Sequence, residues 1–120
     1  LCYLIKYGCF IASSTVAFRK SSYFKTSGFS QKYKFITDYI FFLDISKFGN
    51  IYCHNKALAK WRMHATQSSE IDTSTYYFEM CKLYLILYFD KDLDLKVKFK
   101  LIFRNILYIY NFIIKKSKLN

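Results

Sequence analysis

The stretch FITDYIFFLDI, residues 35–45, decides how the rest of the chain is read. One acid, Asp38, stands at the head of a dense aromatic and aliphatic segment, whereas other long apolar runs are broken by lysines, hydroxyls or turn residues. A helix that starts at Thr37 or Asp38 puts Tyr39, Phe42, Leu43 and Ser46 on an i, i+3, i+4, i+7 stripe that anchors it on a core. Gly49-Asn50 then stops it near Lys47 or Phe48. Asp38 falls at the solvent end of this element, and two roles are open to it. It is a candidate catalytic carboxylate, or else Asp38 or Thr37 is an N-cap that accepts a hydrogen bond from an otherwise unpaired backbone N–H. The local sequence by itself favours the cap.

Composition sets the outer bounds. The 120 residues make one domain or part of one, long enough for a modest core. The chain is 53% hydrophobic and 22% aromatic, with no proline and three glycines. Such use of Tyr, Phe, Ile, Lys and Asn fits AT-rich codon usage, so the aromatic content is not taken as a functional signal. A formal charge of +11 favours anionic partners, whether sugar nucleotides, acidic lipid head groups or nucleic acid. Cys2, Cys9, Cys53 and Cys81 form no Cys-x-x-Cys pair and no zinc-type spacing, which suits reduced thiols in a cytoplasmic protein. Residues 1–17 lack the order of a secretory signal peptide, and the missing initiator methionine fits a fragment.

Taken in order, residues 1–10 read as a strand or the tail of a longer element, and residues 11–18 as a strand-like run of β-branched and small residues. Ser21 or Ser22 caps a short helix to Ser27, ended by Gly28, with Phe24 and Phe29 as the apolar pair across that ending. Residues 30–35 form a polar loop. Residues 51–54 and 57–63 are short strands joined by a turn at Asn55-Lys56, a hairpin that brings Trp61, Arg62 and His64 back toward Asp38. His54 reads as a surface residue. The hydroxyl-rich stretch 66–69 and Glu70 cap a helix to about residue 89, with Tyr77, Met80, Cys81, Tyr84, Leu85 and Tyr88 at helical spacing. Residues 97–114 are apolar but interrupted by Lys98, Lys100, Arg104, Asn105 and Asn111, too often for a span of about 20 apolar residues. They read as a helix lying in the membrane interface or as a plain packing helix.

The segments Ala12-Ser-Ser-Thr-Val-Ala-Phe-Arg-Lys20, Gly28-Phe29, Thr37-Asp38-Tyr39, Gly49 and Ala57-Leu-Ala-Lys-Trp-Arg-Met-His64 occur in that order. The series, over residues 8–69, resembles the C-terminal half of family-2 glycosyltransferases of the GT-A fold, particularly bacterial ones that build surface polysaccharides. The resemblance implies an α/β fold, here an α+β fragment. Residues 1–69 would be the acceptor-side part of a GT-A-like catalytic domain, and residues 70–120 a C-terminal helical region with an interfacial character.

The same resemblance implies inverting transfer of a sugar from a nucleotide-sugar donor to a saccharide or lipid-linked saccharide acceptor. Asp38 resembles the general base. Ser13, Ser14 and Thr15 lie beside the acceptor, Trp61 and Arg62 contact substrate, and the planar fork of Arg62 suits a diphosphate. His64 is the implied protein ligand of a divalent cation, Mn2+ or Mg2+, that bridges the phosphates. Thr37 departs from the family, which often has an acid there. The nucleotide-binding half, with its Asp-x-Asp and the remaining metal ligands, is expected upstream of these residues, so the chain alone is expected to be inactive. Asp92-Leu93-Asp94 reads as a solvated turn.

A second reading is a basic binding module for an anionic membrane or nucleic acid. The lysines are spread along the chain without an RNP-like or helix-turn-helix signature, so nucleic acid is not expected. A third is a structural α+β fragment without activity. The expected location is cytoplasmic, peripheral on the inner face of the cell membrane.

Overall fold

The computed structural model describes residues 1–60, 62 and 73–117. Among these residues the secondary structure is helical throughout, with no strand and no sheet. The elements are α1 (Cys2–Tyr7), a 3₁₀ turn (Ser13–Thr15), α2 (Lys20–Tyr23), α3 (Thr37–Ile45), a second 3₁₀ turn (Ser46–Phe48), α4 (Thr73–Tyr88) and α5 (Leu95–Ser117). The expectation of an α/β, GT-A-like fold is therefore overturned. The chain divides into two compact units, Leu1–Tyr33 with Thr37–His64, and Lys34–Ile36 with Ala65–Asn120.

In the first unit, residues 1–10 are a helix followed by an irregular stretch, not a strand. A short apolar run does not distinguish the two states by itself. Here the run satisfies its own backbone: Ile5 N–H donates to Leu1 O at 3.2 Å and Gly8 N–H to Leu4 O at 2.9 Å. Gly8, at φ 82°, ends the helix in the left-handed region that glycine enters without a Cβ penalty. Leu4 and Ile5 are both 1% exposed. The phenol of Tyr39 donates to Leu4 O at 2.8 Å, so a buried hydroxyl is satisfied and α3 is tied to α1.

Helix α3 buries Tyr39, Phe42 and Leu43, the anticipated stripe, and also Phe41, which lies off it. Phe41 is the centre of an aromatic cluster. Its ring centroid lies 4.3 Å from Phe29, 5.1 Å from Phe18, and 5.8 Å from both Tyr23 and Phe42. Phe18 meets it edge-on and the other three rings are tilted against it, avoiding the face-to-face sandwich that aromatic quadrupoles disfavour. Asp44 accepts the Ser27 N–H at 3.0 Å and pairs with Lys47 at 3.6 Å.

Helix α2 is shorter than expected and has no hydroxyl cap: Arg19 is its N-cap, without a side-chain hydrogen bond, and Phe24 its C-cap. Gly28 does take positive φ, 70°, but in the turn beyond the helix. Phe24 is exposed, and Phe29 packs on Phe41 instead of pairing with it across the helix end. Residues 51–60 are irregular and exposed, with a bend at Asn55-Lys56 where Lys56 N–H donates to His54 Nδ1 at 3.2 Å. The expected strand at 51–54 and the described part, 57–60 and 62, of the one expected at 57–63 do not form: among the described residues there is no neighbouring strand to complete a ladder, and the segment is exposed to water.

In the second unit α4 and α5 form a helical hairpin. Tyr76, Tyr77 and Tyr84 ring Tyr108 at centroid distances of 5.5 to 6.1 Å, and Met80, Leu83 and Leu101 are buried. Leu93, 8% exposed, plugs the connecting turn. The backbone carbonyl of Asp94 accepts the Val97 and Lys98 N–H groups at the start of α5. Glu79 is 7% exposed, and its carboxylate accepts the backbone N–H groups of Lys34 at 2.7 Å and Phe35 at 2.9 Å. The proposed capping stretch 66–69 and Glu70 lie outside the described residues. Among the described residues no helix is long and apolar enough to cross a membrane.

Candidate functional site

Asp38 stands in the first turn of α3, where an acid interacts favourably with the helix dipole. The hydroxyl of Thr37 does not cap the helix; it donates to Ser30 O at 2.7 Å and fixes the loop that enters α3. The Asp38 carboxylate is half-buried and uses both oxygens. Oδ1 accepts the Tyr39 N–H at 2.7 Å, a local bond that satisfies one of the helix's free donors. Oδ2 accepts the hydroxyl of Ser13 at 2.6 Å, a bond between residues 25 apart in the chain.

Ser13 is held by a compact local fold. Thr15 donates to Ala12 O through both its N–H, at 2.9 Å, and its Oγ1, at 2.7 Å, which closes the 3₁₀ turn. Such short-range hydroxyl bonds compete with strand formation and explain why residues 11–18 are not a strand. The flanking residues remain extended: Ala12 has φ −81° and ψ 118°, and Val16 has φ −98° and ψ 132°. Ser13, Ser14 and Thr15 are all exposed.

Cys9 belongs to the same neighbourhood, and nothing in the sequence spacing signals it. Its thiol donates to Ile11 O at 3.6 Å. The thiol is pushed above its ordinary pKa chiefly by partial burial and, to a smaller extent, by the Asp38 charge, against the opposing hydrogen bond to Ile11.

Of the residues singled out from the sequence, Ser13 and Asp38 come together, with Ser14 and Thr15 on the same turn. Arg62 is exposed in the irregular segment beyond Gly49. The hairpin that was to carry Trp61, Arg62 and His64 toward Asp38 is not formed in its described part, and Trp61 and His64 lie outside the described residues. The implied Mn2+ or Mg2+ ligand therefore lies there too. Among the described residues no three His, Cys, Asp or Glu side chains stand close enough together to hold a metal ion. Asp92 and Asp94 are exposed in the α4–α5 turn, where Asp92 N–H donates to Asp90 Oδ1 at 3.0 Å.

The site thus offers a carboxylate, fixed at a helix start, that already holds one hydroxyl at hydrogen-bonding distance. A carboxylate has about four acceptor positions, so two bonds leave room for a further donor. No protein-family model, curated protein or solved structure matches the chain.

Proposed function

We propose that the chain carries the acceptor-side chemistry of a nucleotide-sugar-dependent glycosyltransferase, with Asp38 as the general base on an acceptor hydroxyl. The observation that supports this most is the 2.6 Å bond between Ser13 and Asp38. It joins the first and third motifs of the glycosyltransferase-like series, which are separated in sequence by the α2 turn region. The Ser13 hydroxyl at Oδ2 is the kind of donor that the reading assigns to the acceptor.

In the proposed step an acceptor hydroxyl donates to Asp38 and transfers its proton to the carboxylate as its oxygen attacks the anomeric carbon. The bond from that carbon to the diphosphate breaks, and the nucleoside diphosphate leaves. A base of this kind contributes about 10²- to 10⁴-fold in rate. Ser13, Ser14 and Thr15 supply hydroxyls to the ring of the acceptor. The donor side, with its cation and phosphate contacts, is assigned to none of the described residues.

Titration of the 15N-labelled chain with a panel of neutral and acidic saccharides tests the reading. Shifts confined to residues 13–15 and 38–39 support it; saccharides that perturb other residues only, or none, refute it. In any preparation that transfers sugar, Asp38→Asn should lower turnover by about 10²-fold or more while leaving nucleotide-sugar binding in place.

A further inference from the structure

Helix α5 is amphipathic twice over. One face, through Leu101, Asn105 and Tyr108, packs on α4. The other carries Leu95, Phe99, Ile102, Ile106, Ile109 and Ile113, whose exposures are 65, 65, 40, 60, 46 and 59%. Their spacing alternates four and three residues, so they make one continuous seam along the helix. The seam extends onto α4 across a groove of ≈ 350 Å³, whose far wall includes Leu85 and Phe89, 52 and 76% exposed. An apolar face of this length left in water marks an interaction surface.

Charge decides what covers it. At 100° per residue Lys98 and Lys116 fall on one flank of the seam, and Lys96 and Lys100 on the other. Arg104 falls on the packed side, 5.7 Å from the Tyr84 ring. Residues 95–117 contain no Asp or Glu; the nearest acids, Asp90, Asp92 and Asp94, are confined to the turn before the helix. A second copy of α5 fits the heptad spacing but brings lysine flank against lysine flank, with no acid to pair them. A bilayer rich in acidic lipid answers both features: the seam enters the head-group and acyl boundary, and lysines on either side extend their stems and keep the ammonium groups at the phosphates.

We propose that the α4–α5 hairpin docks peripherally on acidic membranes through this seam. The proposal rests on the second unit alone and stands whether or not Asp38 is a catalytic base. Co-sedimentation of the 120-residue chain with vesicles tests it. The chain should bind vesicles holding about 30% phosphatidylserine, bind pure phosphatidylcholine several-fold less, and lose most of its binding as salt rises from about 0.1 to about 0.5 M. Phe99→Glu with Ile106→Glu, both at exposed positions, should abolish binding while circular dichroism keeps the helical signal. Lys96→Glu with Lys100→Glu should weaken it several-fold and leave the apolar seam untouched, which keeps the test decisive if the first variant unfolds. Absence of binding to acidic vesicles at low salt overturns the proposal. So does binding that survives both variants, or sedimentation of the free chain as a dimer that Phe99→Glu with Ile106→Glu dissociates.

Discussion

Glu79 and Phe35 are 44 residues apart, yet Oε2 of the buried Glu79 carboxylate accepts the Phe35 N–H at 2.9 Å while Oε1 accepts that of Lys34 at 2.7 Å. The two oxygens match two successive backbone donors, so the segment Lys34–Ile36 is fastened to α4 by one side chain. Each such bond to a charged group contributes about 1.5–3 kcal/mol, and leaving a part-buried N–H unpaired adds to the loss. Glu79→Leu is therefore expected to cost about 3–5 kcal/mol in chemical denaturation. Glu79→Gln should cost nearly as much, because its NH₂ faces one of the two donors. A change within about 0.5 kcal/mol for both variants contradicts the fastening role.

Phe41 is fully buried at the centre of four aromatic neighbours. Truncation removes its transfer energy and leaves a cavity that rigid rings cannot close. Phe41→Ala should destabilise by about 3–5 kcal/mol, and Phe41→Leu by less than half of that. Loss of the Phe29 ring-current shifts in the NMR spectrum of Phe41→Leu is the accompanying local readout.

Thiol chemistry reports on the Asp38 neighbourhood. Thiolate is the reactive form, so a raised pKa slows alkylation near pH 8. Cys9 and Cys53 are both exposed and Cys81 is half-buried; partial burial of the thiol raises the pKa of Cys9, with a smaller contribution from the Asp38 charge, and burial raises that of Cys81. Peptide mapping after a short iodoacetamide pulse should show Cys53 modified ahead of Cys9 and Cys81. In Asp38→Asn a negative charge is removed, the Cys9 pKa falls and its labelling accelerates, while Cys81 is unchanged. Unaltered Cys9 labelling contradicts the electrostatic link.

Helices α3 and α4 were legible in the sequence, whereas the expected strands do not form in their described parts. The Tyr39, Phe42, Leu43 stripe and Gly49 marked α3, and the periodic residues from Tyr77 to Tyr88 marked α4. Phe41 was missed because α3 is buried over more than one stripe, which periodicity does not register. The strands failed for a physical reason: a short apolar run such as 51–54 makes a strand only when a neighbour completes the ladder, and Tyr52 is instead 89% exposed. Within the strand-like run 11–18, the Thr15 hydroxyl instead closes a 3₁₀ turn upon Ala12 O and the Ser13 hydroxyl donates to Asp38. Asp38 was placed at a helix start by its own neighbours in sequence. Its bond to Ser13 and the proximity of Cys9 depend on tertiary folding, and no local pattern encodes them. Residues 97–114 held two alternatives, interface or packing; one face of α5 packs on α4 and another is exposed.

The most direct measurement is the saccharide titration repeated on Asp38→Asn, with residues 13–15 and 38–39 followed by amide shifts. The carboxamide keeps the size of the side chain but presents one acceptor oxygen in place of two and carries no charge. If Asp38 receives the acceptor hydroxyl, saccharide affinity at these residues falls by about tenfold or more, the loss of a charge-assisted hydrogen bond, while the shifts of α4 and α5 remain those of the unsubstituted chain. Undiminished saccharide binding at residues 13–15 in Asp38→Asn contradicts the assignment.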